Sequence, residues 1–399
     1  MRIAIIIDAV VIGGAEWQSV LSAAELTRRG EHVVLVSSYP GNDYAEFIRD
    51  RGVRLVQVAK PGGGRLSKIR ALARHLRRGA FDVAHVFKGP GFSARLAAHL
   101  AGVPRVFAGY RGLTPMGLPS RWFNWAMARG TAGWIVNSGA VRRVLVERCG
   151  ILAEKVHVVP NAVIASRFET RLTREEARAR FGIGPDDGAV VTILANLRRV
   201  KNHAMFLRVA KRLVEGGAAA RFLVAGDGPE KDALHRAAAD LGVTGYVRFL
   251  GKCQQVPDLF RATDMCVLTS VSEGLPNVLI EAASAGVPCV STDNGGAADV
   301  VVDGETGYLV KVDDDEAMAA RIAAMLADPS LCEKMGRATR EHVARRFSME
   351  ALGDRLLAVY RDAAGTPPDG PATGDRNGAA ADRGTAMRPG AGPKGPTRS

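Results

Sequence analysis

Short, strongly apolar segments recur along the chain, and each is followed by a longer segment of mixed polarity. Met1 to Ala9, Glu31 to Ser38 and Val53 to Val58 are the first three apolar segments, and their length fits buried strands. The mixed segments carry apolar residues at the spacing of helices that pack by one face. This alternation predicts an α/β protein in which helices connect the strands of parallel sheets.

The alternation stops once in the middle of the chain and then resumes. A polar stretch broken by glycine precedes the apolar segment Ala189 to Ala195. Because 399 residues is about the length of two domains, we place the boundary there. More than half of the last 35 residues are Gly, Pro or Ala, which predicts disorder. The predicted organisation is a first domain at 1–165, a linker at 166–187, a second domain at 188–345, a helix at 346–364 and a disordered tail at 365–399.

Composition narrows the class of protein. No apolar run approaches the roughly 18 residues of a membrane span. The N-terminus turns acidic at Asp8, too early for a signal peptide, so we expect a cytosolic protein. The five cysteines include no CxxC pair, which predicts neither disulfides nor structural zinc. The net charge of +13 favours anionic partners, although no nucleic-acid-binding module is recognisable.

Part of the positive charge is concentrated in one predicted helix. Lys60 to Arg78 holds seven lysines and arginines and no acid. The simpler interpretation is a surface helix that docks by its apolar stripe. The alternative is a helix whose cationic face lies near anionic lipid headgroups or a phosphorylated acceptor. The apolar residues at helical spacing are Leu66, Ile69, Leu72, Ala73 and Leu76.

The most informative stretch lies between Asp264 and Val310. Met265 to Leu268 is a short apolar run typical of a buried strand, and Asn277 to Ala285 predicts a packed helix. Pro276 fits the first helical turn, where a missing N–H costs nothing. The free N–H groups of that helix point back toward the strand end and form an anion site. Gly274 lets a ligand approach the backbone closely.

Two carboxylates, Glu273 and Glu281, flank this anion site. They would repel a phosphate, but each carboxylate can accept hydrogen bonds from hydroxyl groups of a sugar ring or a ribose. The turn therefore predicts a ligand with phosphates in its middle and hydroxyl-rich groups at both ends. A nucleotide sugar has that form.

Ser272 to Ala282 resembles the E-x7-E signature of retaining family-4 glycosyltransferases, which have the GT-B fold. Gly286 to Val290, Asn294 to Gly296 and Asp303 to Gly307 resemble the same family, and weaker similarity extends over about residues 1–362. The resemblance implies two Rossmann-like, doubly wound domains that face each other across a cleft. The second domain would bind the donor and the first the acceptor, and the helix at 346–364 would cross back onto the first domain.

The resemblance also implies roles for residues of the second domain. Lys201 matches a lysine of many relatives, whereas Asn196 stands at their usual arginine position and Arg198 lies two residues on. Lys201 and Arg198 would stabilise the charge of a leaving nucleoside diphosphate. Glu281 would hold the ribose and Glu273 the transferred sugar. The remaining expected donor-binding residues are Gly226, at a tight turn, and Gly274, Leu275, Pro276, Asn277 and Val278, through their backbone.

Fewer residues of the first domain are assigned. Gly13 and Gly14 resemble the glycine-rich loop that the family has at its cleft, and a bare tight turn is the alternative. His85 is either a catalytic residue, as the resemblance suggests, or a neutral core histidine. Phe87 stands where many relatives have a second histidine. Arg111 is expected to be a cleft cation on the acceptor side.

For two further segments we prefer a structural role to a functional one. Trp122, Phe123 and Trp125 predict a short amphipathic helix whose aromatic residues pack rather than stack on sugars. Asp313 to Asp315 contains a DxD pattern, the metal triad of another glycosyltransferase fold, but we expect it to cap the following helix. No metal is therefore predicted.

With the resemblance, the sequence predicts a retaining glycosyltransferase of cell-surface polysaccharide or glycolipid synthesis. It would move a sugar from a UDP- or GDP-linked donor to a glycan or lipid-linked acceptor, without a further cofactor and without nucleic acid. We expect a cytoplasmic protein that also contacts the anionic inner face of the membrane. The alternatives are a GT-B nucleotide-sugar epimerase, which would turn over without acceptor, and an inactive nucleotide-sugar-binding protein. A dinucleotide-dependent dehydrogenase is disfavoured because no GxGxxG follows the first strand.

Overall fold

The computed structural model describes residues 1–58, 64–87 and 91–362. Its first sheet has seven strands in the order β3-β2-β1-β4-β5-β6-β7, and every pairing is parallel. The strands are β1 (Arg2–Ile7), β2 (His32–Ser37), β3 (Arg54–Gln57), β4 (Val83–Val86), β5 (Arg105–Tyr110), β6 (Thr131–Val136) and β7 (Val156–Val158).

The second sheet has six parallel strands in the order β10-β9-β8-β11-β12-β13. In each sheet the strand order reverses beside the first strand of that sheet. Ligands of open α/β sheets bind outside the carboxyl ends of strands at such a reversal. The strands are β8 (Ala189–Leu194), β9 (Ala220–Ala225), β10 (Val247–Gly251), β11 (Met265–Leu268), β12 (Cys289–Thr292) and β13 (Gly307–Val310).

Fourteen α-helices connect or follow the strands of the described residues. In the first half they are α1 (Gly14–Arg28), α2 (Ala45–Asp50), α3 (Arg65–Gly79), α4 (Phe92–Leu100), α5 (Leu118–Ala126), α6 (Gly139–Arg143) and α7 (Arg174–Arg180). In the second half they are α8 (His203–Glu215), α9 (Lys231–Asp240), α10 (Val256–Ala262), α11 (Asn277–Ser284), α12 (Asp315–Ala327), α13 (Pro329–Arg346) and α14 (Met349–Asp362).

The final described helix, α14, belongs to the core of the first domain although it follows the second domain in sequence. Leu352, Leu356 and Tyr360 are buried in one cluster with β1 and α1 residues such as Ile5 and Leu21. The expectation that this segment crosses back onto the first domain agrees with this packing. The predicted disordered tail at 365–399 lies outside the described residues.

The predicted linker at 166–187 has more structure than its polar sequence indicated. It contains α7, which begins with a capping box in which Thr173 and Glu176 bond each other's backbone N–H groups. Arg180 pairs with Asp258 of α10, and Arg178 pairs with Asp264 at 2.7 Å. These ion pairs fix the segment to the second domain. Arg178 and Arg180 are therefore used in contacts within the protein.

Two amphipathic helices of the first domain form as predicted, but some of the apolar residues predicted to be covered are exposed. In α3 the predicted stripe is buried except for Leu66, which is exposed, while Lys60 lies outside the described residues. In α5 only Phe123 of the three aromatic residues packs inward. The expectation that Trp122 and Trp125 pack is wrong, because both side chains are exposed. The spacing of the aromatic residues predicted α5 correctly but did not indicate which face of α5 is covered.

The acidic run before α12 acts as a helix cap, as expected. The Asp314 carboxylate accepts a hydrogen bond from the Ala317 N–H at 2.9 Å. Within the described ranges, no group of histidine, cysteine and acidic side chains is arranged to hold a metal ion. No helix among those residues is long and apolar enough to cross a bilayer.

Candidate active site

The loop between β11 and α11 is fixed by backbone hydrogen bonds to the loop that follows β12. The Glu273 N–H donates to the Asn294 carbonyl at 3.0 Å, and the Gly296 N–H donates to the Glu273 carbonyl at 2.9 Å. Asn294 and Gly296 follow β12, which pairs with β11. The Glu273 backbone is therefore fixed from outside, which leaves its carboxylate directed into the gap between the domains.

The loop after β8 brings a lysine to the same place. The buried Thr269 hydroxyl bonds the carbonyls of Lys201 and Asn202, both at 2.9 Å, and the Val271 N–H donates to Val200. These bonds join the two loops at the carboxyl ends of adjacent strands. As a result, the Lys201 ammonium forms an ion pair with the Glu273 carboxylate.

The N-termini of α1 and α11 face each other across the domain boundary. A Cβ atom at Gly14 would lie 3.1 Å from the side-chain nitrogen of Asn277. Both helix starts line a cavity of about 340 Å³ together with Lys201, Glu273 and Arg111. The positive ends of two helix dipoles thus point toward one cavity, which favours an anion there.

Arg111, which the sequence predicted to be a cleft cation, lines this cavity as its second cation. Its guanidinium lies 4.2 Å from the Phe87 ring centroid and donates to the Asn161 side chain. Burial lowers the pKa of Arg111 to about 10, an effect that Glu16 opposes, so the side chain stays charged at neutral pH. The Asn161 amide in turn donates to Asn277. A polar chain therefore connects the first domain to the start of α11.

Glycine is required by the packing at two of the predicted positions. A Cβ atom at Gly274 would lie 2.2 Å from the Arg111 carbonyl oxygen, so the first domain approaches the backbone closely at this position. Gly226 has φ +148° and its Cβ would lie 1.9 Å from the Ala195 carbonyl. Its turn packs against the loop that carries Lys201. Pro276 precedes α11 as its cap residue instead of lying inside the first turn.

Glu281 lines a second cavity of about 660 Å³ that adjoins the first. Gly14 and Asn277 line both cavities, so the two acids of the E-x7-E segment lie on either side of the α11 N-terminus. Burial raises the pKa of Glu281 to about 7, and the Arg167 charge opposes this rise. The Glu281 carboxyl therefore changes charge near neutral pH.

Three of the predicted site residues, His85, Arg198 and Gly226, line neither the first nor the second cavity. Arg198 is exposed at the start of its loop, and it is absent from the lining that Lys201 joins. His85 is buried in the first-domain core, where its Nδ1 and the Tyr360 hydroxyl form a 2.8 Å hydrogen bond. Burial, reinforced by the Arg111 charge, lowers the pKa of His85 to about 3. This environment favours the interpretation of His85 as a neutral core histidine.

Several lining residues were not found from sequence. Asn137 and Asn161 follow β6 and β7; Asn137 and Ser138 match the family pattern, but the sequence assigned neither asparagine to the site. Arg167 lies in the segment that we interpreted as a linker. Trp17 and Tyr44 pack together with ring centroids 4.9 Å apart at the second cavity. Their position depends on how α1 and α2 meet, which a single sequence does not encode locally.

Two family models match consecutive parts of the chain. Residues 12–167 match the model described as Glycosyltransferase Family 4, and residues 173–342 match Glycosyl transferases group 1. The junction between the matches falls in the predicted linker. Together the matches include the glycine loop, the Lys201 loop and the E-x7-E segment.

Curated relatives agree with these matches. EpsF of Bacillus subtilis (strain 168), named as a glycosyltransferase, is 32% identical over 269 residues, which is 63% of this chain and 68% of EpsF. EpsD of the same strain, also named as a glycosyltransferase, is 30% identical over 55% of this chain and 57% of EpsD. This chain thus spans little more than half of EpsD. An Escherichia coli UDP-Gal:alpha-D-GlcNAc-diphosphoundecaprenol alpha-1,3-galactosyltransferase is 23% identical over 73% of this chain and 78% of its own length.

Solved structures with low sequence identity share the fold. Anabaena HepE in complex with UDP superposes with a TM-score of 0.79 at 19% identity, covering 91% of this chain and 100% of that chain. A Rickettsia africae glycosyltransferase superposes with a TM-score of 0.81 at 17% identity, covering 92% and 99%. The two sheets thus form a GT-B fold, which confirms the predicted fold class. The chain belongs to the group 1, family-4 glycosyltransferases, as the sequence resemblance predicted.

Proposed function

We propose that the protein transfers a sugar, with retention of configuration, from a UDP- or GDP-linked donor to a glycan or lipid-linked acceptor. The reaction would serve the synthesis of cell-surface polysaccharide or glycolipid. The observation that carries this proposal is the convergence of two helix N-termini, Lys201 and Arg111 around a cavity that also contains Glu273. This arrangement suits a diphosphate that is joined to a hydroxyl-bearing ring.

The two adjoining cavities suggest how the donor lies. The diphosphate would occupy the α11 N-terminus at Asn277, where both cavities meet. The sugar would extend toward Glu273, and the ribose toward Glu281 in the larger cavity. Lys201 would exchange part of its contact with Glu273 for the phosphates, which frees carboxylate oxygens of Glu273 for sugar hydroxyls.

The cations of the cavity would act on the charge that develops as the donor breaks. The bond between the anomeric carbon and the phosphate oxygen lengthens, which builds positive charge on the sugar and negative charge on the diphosphate. Lys201, Arg111 and the α11 N–H groups stabilise the diphosphate from fixed positions. The acceptor hydroxyl attacks the same face of the sugar, and its proton passes to the departing phosphate oxygen. We assign His85 no role in this step, and its burial and its hydrogen bond to Tyr360 support that assignment.

Two observations support a lipid-linked acceptor. One relative is named for a diphosphoundecaprenol-linked substrate. The net charge of +13 also favours an acceptor that carries phosphate or lies at an anionic surface. HepE was solved with UDP, and UDP is therefore the first donor nucleotide to test.

A thermal-shift screen of UDP, GDP and their sugars tests the donor site directly. We expect one nucleoside diphosphate to raise the unfolding temperature, because a ligand that binds only the folded state stabilises it. Incubation with the selected nucleotide sugar alone then separates the alternatives, since an epimerase would change the donor without acceptor. The anomeric proton signal of the product reports retention. Absence of stabilisation by every nucleoside diphosphate would contradict the proposal.

A further inference from the structure

The positive charge of the chain is concentrated in a single stretch of the first domain. Residues 51–146 contain 17 lysines and arginines and one acid, Asp82, which gives this stretch a net charge of +16. The whole chain has a net charge of +13, so the remainder is slightly acidic. An excess of this size on part of one domain favours a partner with a negatively charged surface.

The same stretch carries an uncovered apolar helix face. On α5, Leu118, Trp122 and Trp125 are 77%, 70% and 75% exposed, whereas Phe123 is 8% exposed. Phe123 therefore anchors the helix, and the other face has no cover among the described residues. Arg121 and Arg129 are exposed beside the tryptophans. We call these five exposed residues the α5 surface: Leu118, Arg121, Trp122, Trp125 and Arg129.

A cavity of about 870 Å³ opens beside the α5 surface. It is lined by both exposed tryptophans and, on its other side, by Trp134, Ile151 and Leu152. Lys155 also lines the cavity, so a cation accompanies its apolar walls. An apolar pocket of this size on an exposed helix is unusual for a surface that meets only water.

The buried side of α5 packs toward the basic helix α3. The rings of Phe92 and Phe123 are 4.0 Å apart between centroids, and the Arg65 guanidinium lies 5.6 Å from the Phe92 centroid. Arg65 begins α3, and its neighbour Leu66 is exposed. These contacts place the start of the basic helix α3, with its exposed Leu66, near α5.

We propose that the α5 surface docks on a bilayer that contains anionic lipid. Trp122 and Trp125 enter the headgroup region, for which the tryptophan ring is well suited because it combines an apolar body with an N–H donor. Arg121 and Arg129 pair with lipid phosphates, and the net charge of residues 51–146 draws the domain to the membrane. The combination of exposed tryptophan with arginine distinguishes this occupant from a neutral protein partner.

The position of the α5 surface agrees with the proposed function, although docking does not depend on sugar transfer. Arg111 lines the first cavity, and α5 begins seven residues later at Leu118. A bilayer at the α5 surface would thus lie on the acceptor side of the cleft. A lipid-linked acceptor could then reach the cavity with its headgroup while its chain stays in the membrane.

Sedimentation with vesicles tests the docking. Full-length protein is mixed with vesicles of phosphatidylcholine alone and with vesicles that also contain phosphatidylglycerol. We expect binding to the anionic vesicles, and we expect Trp122→Ala/Trp125→Ala to weaken it at least about tenfold, because buried apolar area is lost. Arg121→Glu/Arg129→Glu should weaken it similarly. Matched controls on the second domain, Tyr246→Ala and Arg236→Glu, should bind as the wild type does.

A second measurement does not depend on variants. Phospholipids brominated near the headgroup should quench the tryptophan emission of the wild-type protein, since two of its four tryptophans lie on the α5 surface. Unchanged emission, or equal vesicle binding by the tryptophan variant, would overturn the proposal. A wild-type dimer that the tryptophan variant dissociates, without vesicle binding, would instead identify an interface between copies. Nucleoside diphosphate binding by the same variants should be unchanged, so failure of docking is separable from failure of the donor site.

Discussion

The side-chain amide of Asn161 donates a hydrogen bond to Oδ1 of Asn277, and this bond joins the two domains at the first residue of α11. Asn161 also accepts a hydrogen bond from Arg111. One asparagine therefore links the cation of the first domain to the helix that we propose binds the diphosphate. The position of Arg111 relative to α11 depends on this contact.

A double-mutant cycle should detect the coupling between the two asparagines. Asn161→Ala and Asn277→Ala should each lower the free energy of unfolding by about 1 kcal/mol, because each leaves a polar partner unpaired. The double variant should lose less than the sum, with a coupling of about 0.5–1.5 kcal/mol. Denaturant unfolding measures all four proteins. Strictly additive losses would show that the bond does not join the domains in solution.

Gly274→Ala should disturb the approach of the domains. The added methyl group would lie 2.2 Å from the Arg111 carbonyl oxygen, which requires backbone movement. We expect a loss of about 1–3 kcal/mol in unfolding free energy and weaker donor binding. Gly245→Ala is the control, since a Cβ there meets nothing within 4 Å. Equal stability of the two variants would contradict the packed interface.

Lys201→Met should weaken nucleoside diphosphate binding about tenfold, because it removes a charge-assisted hydrogen bond to phosphate. The difference in affinity between wild type and variant should shrink at high salt, because salt screens the attraction between Lys201 and the phosphates in the wild type. Calorimetry with the nucleoside diphosphate identified by the screen measures both effects. Lys211→Met is the matched control, because that lysine pairs with Glu215 on the surface of α8. Similar affinities for the two variants would remove Lys201 from the donor site.

Glu281 should make donor binding depend on pH. Below its pKa of about 7 the carboxyl is protonated and loses acceptor capacity for ribose hydroxyls. We therefore expect the affinity for the nucleotide sugar to rise between pH 6 and pH 8. Glu281→Gln should bind more weakly and show a flat profile, as measured by calorimetry. A wild-type profile that is equally flat would argue against contact with Glu281.

The same group has the opposite effect on stability without ligand. The folded-state pKa of about 7 lies above the ordinary value of 4.5, so the folded protein holds a proton that the unfolded chain releases. The stability that Glu281 contributes is full below pH 4.5 and declines as the pH rises to about 7. Wild type and Glu281→Gln should therefore converge in melting temperature at low pH and diverge as the pH rises.

His85→Asn separates a structural role from a catalytic one. The bond to Tyr360 is buried, so its loss should lower the unfolding free energy by about 1–3 kcal/mol. We expect kcat per folded molecule to stay within about twofold, since no step requires this imidazole. Tyr360→Phe should reproduce the stability loss. A fall in kcat of a hundredfold or more for His85→Asn, without one for Tyr360→Phe, would restore the catalytic interpretation.

The sequence predicted the strand, turn and helix around Glu273 and Glu281 because that information is local. A strand, a glycine-bearing turn and a helix start lie within twenty residues, and their order determines where Glu273 and Glu281 lie relative to α11. By contrast, His85 lies near the end of a strand whose side chains alternate between opposite faces of the sheet. Which face α14 covers depends on a segment 275 residues away, so the sequence left both interpretations open.

The errors have similar physical causes. The Trp122 and Trp125 spacing marks an amphipathic helix, but the covered face depends on Phe92 of another helix. At Gly274 the sequence predicted a close approach to the backbone but could not show that the Arg111 carbonyl of the other domain packs there. The α7 helix could have been found, because Thr173 and Glu176 have the spacing of a capping box.

The return of α14 to the first domain has a consequence for synthesis on the ribosome. Tyr360 and Leu356 complete the core around β1. This core therefore remains partly uncovered until residues 349–362 have emerged from the ribosome. The second sheet, at 189–310, has all its strands well before that point. The first domain therefore cannot complete its core until α14 has been synthesised after the second domain. A nascent chain stalled before Met349 would expose apolar residues of the first domain to chaperones.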